Sequence, residues 1–102
     1  MKVIFTQRAK MHELNLYVYV AENGGEAAAE RFVGAIHKYC CDLKAFPYRG
    51  TSREDLGIGV RTLGYKRRAT ILYRVQNDTV VIGGVYYGGR SLEDDSRSEW
   101  DV

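Results

Sequence analysis

Residues 69–87 read Ala69-Thr70-Ile71-Leu72-Tyr73-Arg74-Val75-Gln76-Asn77-Asp78-Thr79-Val80-Val81-Ile82-Gly83-Gly84-Val85-Tyr86-Tyr87. Two runs rich in β-branched and aromatic residues flank Asn77-Asp78. Side chains of that kind suit a pleated surface, and Asn-Asp suits a two-residue hairpin turn. The reading is a hairpin of Ala69 to Gln76 with Thr79 to Tyr87. Upstream, Ile58 to Leu63 has the same strand character. Gly64 and Tyr65, followed by basic residues, join it to the hairpin. Three strands so closely connected form an antiparallel meander. Gly83-Gly84 and Gly88-Gly89 do not stand between a strand and a helix. They read as a strand bend or bulge rather than a phosphate-cradling loop.

The preceding half changes period. Lys2 to Phe5 is short and apolar, a first strand. Thr6 is a good helix N-cap. Met11, Leu14, Tyr17, Val18 and Ala21 then recur at helical spacing, which predicts one buried face. Asn23-Gly24-Gly25 ends this helix through left-handed backbone. Glu26 opens a second helix with Ala29, Phe32, Val33, Ile36, Tyr39, Cys40 and Leu43 as its apolar stripe, and Pro47 stops it. A short loop makes the two helices an antiparallel hairpin. Residues 48–57 read as a loop. The order is β-α-α-β-β-β. The expected fold is α+β, the helical hairpin packed on one face of a twisted antiparallel sheet.

A chain of 102 residues, 45% hydrophobic and 27% charged, is sized for one globular domain. The division expected is a domain over 1–92 and an acidic tail over 93–102. No apolar run approaches the ~20 residues of a membrane helix, so no membrane partner is expected. The start, Met-Lys-Val-Ile-Phe, lacks the apolar core of a signal peptide, so the expected compartment is cytoplasmic. Cys40 and Cys41 are adjacent and read as reduced thiols.

Charge is unevenly placed. Residues 91–102 hold five acids against Arg97, a net charge of −4. Residues 45–74 hold seven basic residues, Arg49, Arg53, Arg61, Lys66, Arg67, Arg68 and Arg74, against Glu54 and Asp55. A field of this kind attracts nucleic acid or an acidic protein segment, and equally describes a solvated basic face. No nucleophile–base set or GxSxG is readable. His12 and His37 stand one on each helix with no third ligand, so neither a metal nor another cofactor is expected. Tyr17, Tyr39 and Tyr73 fit the core or its rim. Tyr86 and Tyr87 point to opposite sheet faces, one packed and one expected near Arg61, Arg74 or Arg90 on an open face. An Arg/Tyr surface of that kind anchors protein or stacks on bases.

The ordered set of motifs resembles the RelE/ParE superfamily of bacterial type II toxins. It comprises Ala27-Ala28-Ala29-Glu30-Arg31-Phe32 in the second helix, then Phe46-Pro47-x-x-Gly50. Gly59-Val60-Arg61-Thr62-Leu63 resembles the family's G-x-R-x-L strand. Ile71-Leu72-Tyr73-Arg74-Val75 resembles its I-x-Y-R-V strand. Val80-Val81-Ile82 through Val85-Tyr86-Tyr87-Gly88-Gly89-Arg90 resembles its closing strand. The likeness runs over about residues 2–92.

The resemblance implies one of two activities. RelE-like members cut mRNA on the ribosome with basic and His/Tyr side chains. ParE-like members poison DNA gyrase. Both are neutralised by a cognate antitoxin. Where the nuclease pattern has lysines this chain has Gly57 and Gly59, where it has an arginine this chain has Thr70, and where it has a histidine this chain has Tyr87. An ordinary phenol titrates near ~10, a poor general base at neutral pH. The expected function is therefore ParE-like, a binder of DNA gyrase rather than an enzyme, neutralised by a ParD-like antitoxin. The alternative is a RelE-like ribosome-dependent mRNA endoribonuclease using Arg61, Tyr87 and Arg90. Target-binding candidates are Arg61, Arg74, Tyr87 and Arg90. By the same resemblance, antitoxin-binding candidates are Leu14, Tyr17, Val18 and Phe32.

Overall fold

The computed structural model describes residues 1–88, Leu92 and Trp100. The elements are β1 (Lys2–Phe5), α1 (Gln7–Gly24), α2 (Glu26–Cys41), β2 (Thr51–Ser52), β3 (Val60–Tyr65), β4 (Ala69–Gln76) and β5 (Thr79–Tyr87). The strands form a five-stranded sheet in the order β1-β5-β4-β3-β2. The sheet is mixed rather than antiparallel throughout. β1 pairs parallel to β5, while β3, β4 and β5 make the expected meander. Sequence-local turns dictate only the meander. β1 reaches the sheet through two helices, so no turn fixes its direction.

The β4–β5 hairpin closes through Asn77 and Asp78, both in the left-handed region at φ 50° and 58°. The β3–β4 connection differs from expectation. Gly64 and Tyr65 lie inside β3, and the turn falls on Lys66 and Arg67, again at φ 50° and 58°. β3 also begins later than expected. Gly59 at φ 76° holds the chain out of the ladder until Val60, and Ile58 is 84% exposed. Within the expected loop 48–57, Thr51–Ser52 pairs with Thr62 and Arg61 as a short edge strand.

Thr6 caps α1 as expected, its Oγ1 accepting from the Ala9 N–H at 3.1 Å. One residue, Gly25, separates α1 from α2. Its φ of 90° and ψ of 163° lie in a region essentially closed to side-chain-bearing residues, and this sets the tight hairpin. Beneath the helices, Leu16, Ile36, Cys40 and Leu43 pack against Ile71, Tyr73, Val80, Ile82 and Val85. Burial pushes the Cys40 thiol well above its ordinary pKa. The other sheet face holds a second cluster of Val60, Leu72 and Tyr86, with Leu56, Leu92 and Trp100 against it.

The face that α1 buries is not the predicted one. Met11, Leu14 and Val18 are 47%, 57% and 46% exposed, while Arg8, Ala9, His12 and Leu16 are buried. The reason lies in the sheet edge. β1 pairs with β5 only as far as Ile82. Just beyond, the pairs Tyr73↔Ile82 and Leu72↔Gly84 leave Gly83 as an extra, bulged residue. The backbone there needs partners, and α1 provides them. Arg8 Nε donates to the Gly83 carbonyl at 2.7 Å, and the Val85 N–H donates to His12 Nδ1 at 3.1 Å. The polar side chains turn inward to seal the edge, so the apolar stripe turns outward.

Candidate functional site

The predicted arginines do not share one open face. Arg61 on β3 pairs with Tyr73 of β4, so both side chains stand on the helix side of the sheet. There Arg61 Nη1 donates to the carbonyls of Gly50 at 2.6 Å and Tyr48 at 3.2 Å. Its guanidinium lies 5.1 Å from the Tyr48 ring centroid. Tyr73 supports the same loop. Its hydroxyl donates to the Pro47 carbonyl at 2.8 Å and accepts from the Gly50 N–H at 3.0 Å. Burial raises the phenol above its ordinary pKa, with the Gly50 N–H and the charges of Arg61 and Arg49 opposing. The Pro-x-x-Gly stretch and the strand arginine are thus one structural unit, an arch over the end of the sheet.

Arg74 is on the opposite face, with Val60 as its cross-strand neighbour. Its Nε donates to the Ile58 carbonyl at 3.0 Å, and its guanidinium lies 4.9 Å from the Trp100 ring centroid. Arg90 lies outside the described residues, as does most of the acidic tail expected over 93–102.

Tyr86 and Tyr87 do point to opposite faces, one of them packed as expected. Tyr86 is the packed one and belongs to the face away from the helices, its ring edge-on to His12 with centroids 4.8 Å apart. Tyr87 is half-buried beneath the helices, 5.5 Å from the Tyr19 ring. Tyr87 pairs with Ala69 and Arg61 with Tyr73, four residues further along β4. That places them about 13 Å apart along the strands.

A groove of about 550 Å³ opens where the end of α1 meets the β3–β4 turn, lined by Leu16, Tyr19, Phe32, Arg67, Arg68 and Tyr87. Arg68 lies over the Phe32 ring at 5.4 Å. Of the four antitoxin-binding candidates, Phe32 therefore belongs to this groove. Leu14 and Val18 lie on the outer side of α1 with Met11, about 160–200° around the helix from Leu16. Tyr17 is half-buried. Desolvation, then Glu30 and Glu26 of α2, raise its phenol above the ordinary value. The structure brings Leu14 and Val18 together and separates them from Phe32.

The histidines serve different neighbours. His12 faces β5. His37 Nδ1 lies 2.9 Å from Glu13 Oε2, and its ring stacks on Phe5 at 4.6 Å. Among the described residues no group of three or more His, Cys, Asp or Glu side chains is placed to hold a metal. No described helix is long and apolar enough to cross a membrane.

Sequence reasoning missed Met11 as an outward residue, the groove residues Tyr19, Arg67 and Arg68, and the contact of Trp100 with Arg74. A signal for Met11 was present. The competing stripe Ala9-His12-Leu16 has the same helical spacing, and its polar members suit an unpaired strand edge.

Comparison with known proteins agrees with this architecture. The family described as "ParE toxin of type II toxin-antitoxin system, parDE" matches residues 3–92. Among solved structures, the chain is similar to one titled "Chromosomal ParDE TA system from P. aeruginosa". The TM-score is 0.75 at 23% sequence identity, over 85% of this chain and 95% of that one. No curated protein matches. A helical hairpin on a five-stranded mixed sheet, the arginine-held Pro-x-x-Gly arch and a family match across nearly the whole chain lead to one assignment: this chain belongs to the ParE toxin family of type II toxin–antitoxin systems.

Proposed function

We propose that this ParE-family toxin acts by binding, with DNA gyrase as its target and a ParD-like antitoxin as its neutralising partner. The observation that carries the choice over RNA cleavage is the commitment of Arg61. A nuclease needs that guanidinium at the scissile phosphate, together with a general base nearby. Here it holds two loop carbonyls and the Tyr48 ring, about 13 Å along the strands from Tyr87. Gyrase is cytoplasmic, and action there is part of the same proposal.

The antitoxin contact is assigned to the outward stripe of α1, Leu14 and Val18 joined by Met11, with Tyr17 at its border. Three exposed apolar side chains in line on one helix suit an amphipathic partner segment. Phe32 and the groove rim of Arg67 and Arg68 extend the contact for an acidic stretch of the same partner.

The test is a supercoiling assay with purified protein and gyrase, scored for trapped DNA cleavage. Inhibition with cleaved complexes supports the proposal. Absence of any effect at a concentration that arrests growth, together with ribosome-dependent trimming of mRNA, overturns it for the nuclease reading.

A further inference from the structure

The sheet face away from the helices is not bare. Trp100, the only tryptophan in the chain, packs there beside Val60, Leu72 and Tyr86. Two features make its position a built seat. The Arg74 guanidinium lies 4.9 Å from the indole centroid while its Nε is anchored on the Ile58 carbonyl at 3.0 Å. The cation is therefore oriented by the fold before the ring arrives. The second feature is Gly83. A Cβ at this position would stand 2.6 Å from the indole. Gly83 is not among the residues with positive φ, so its own backbone conformation does not demand glycine. Close approach of the Trp100 ring does. The bulged residue thus leaves room for the indole, and the Arg74 guanidinium lies against the same ring.

We infer that Trp100 is an intramolecular plug that seats against Gly83 and Arg74, autoinhibits this sheet face, and must leave before Arg74 can meet a target. The inference rests on the reading of Arg74 as a target-binding residue. Docked, the indole covers the face of the guanidinium that a partner would use. Undocked, it leaves an oriented arginine and the space over Gly83.

The seat and its consequence are separable by experiment. Because Trp100 is the only tryptophan, the emission of the full-length protein reports the seat directly. Wild-type emission should be blue-shifted and protected from acrylamide. Gly83→Ala should shift it toward free tryptophan and raise its quenching, and Arg74→Met should do so without touching Gly83. Wild-type emission at the position of free tryptophan would overturn the seat, whatever the variants do.

The consequence is read as growth arrest against expression level, for wild type and Trp100→Ala. Removing the plug should raise potency about 3- to 30-fold, the range one partly desolvated cation–aromatic contact supports. Unchanged or lowered potency would overturn autoinhibition. Gyrase supercoiling is run in parallel. If neither protein affects gyrase while both arrest growth, the target reading fails, and the ratio of growth potencies still decides the plug.

Discussion

The stripe on α1 yields the most direct prediction, because its contribution to antitoxin binding follows from exposure. Met11, Leu14 and Val18 retain 47%, 57% and 46% of their accessible surface. Full burial of such a side chain is worth about 1.5–3 kcal/mol, so the uncovered half leaves about 0.8–1.6 kcal/mol each for a partner. A partner covering all three would gain about 2.4–4.8 kcal/mol, or about 50- to 3000-fold in affinity. The perturbation is Met11→Gln, Leu14→Gln and Val18→Gln together. Gln keeps helix propensity and adds polarity, and changes at exposed positions shift stability by about 0.5 kcal/mol or less each. Calorimetric titration with the purified cognate antitoxin should show Kd rising through that range, while far-UV dichroism and the urea midpoint stay near wild type. A triple variant that folds normally and binds within threefold of wild type would refute the assignment. A large loss of stability would refute the exposure argument itself.

Two further outcomes follow from buried polar groups. Tyr73→Phe removes the hydroxyl that serves Pro47 and Gly50, and should cost about 2 kcal/mol, read as a urea midpoint lower by roughly 1 M. The Tyr73 phenol titrates above its ordinary value, so its stabilising share is full below about pH 10 and falls as pH rises toward the native pKa. Tyr73→Phe should therefore also flatten the alkaline limb of the stability profile. At the sheet edge, His12→Phe keeps a ring but leaves the Val85 N–H without its acceptor, and should cost about 1–3 kcal/mol. His12→Asn places an oxygen near the position of Nδ1 and should recover part of it. Equal urea midpoints for the two variants would show that the hydrogen bond contributes nothing.

The elements were legible wherever short-range chemistry decides them. Asn77-Asp78 fixed a hairpin, Thr6 fixed a helix start, and the Gly24-Gly25 region fixed a helix end. What sequence could not show was tertiary. The direction of β1 depends on a partner strand more than seventy residues away. The buried face of α1 was misread because hydrophobicity was the only criterion, whereas an unpaired edge of β5 selects Arg8 and His12 for the interior. The same applies to the candidate site. Arg61, Arg74 and Tyr87 were visible as residue types, but strand alternation and register decide their faces. Val60 opposite Arg74 and Arg61 opposite Tyr73 settle that the two arginines part company.

The basic excess between residues 45 and 74 is the feature the sequence reading weighed most openly, and the structure tilts the balance. Among the described residues, cations lie over rings in five pairs: Arg49 on Tyr39, Arg61 on Tyr48, Lys66 on Tyr65, Arg68 on Phe32 and Arg74 on Trp100. About one or two are usual in a chain this size. Arg53 adds a two-point contact with Asp55, whose carboxyl that hydrogen bonding holds below the usual carboxylate range. These cations are engaged by aromatic rings and a carboxylate of the protein itself, which leaves few to neutralise phosphates. Each phosphate contact contributes about −0.9 to the slope of log affinity against log salt. Binding of the toxin alone to duplex DNA should therefore be weak, with a slope shallower than about −2, and gyrase binding should depend little on salt by comparison. A slope near −5 or steeper would mean that the cations leave their rings to meet the backbone. The Arg/Tyr surface would then be a nucleic-acid interface after all.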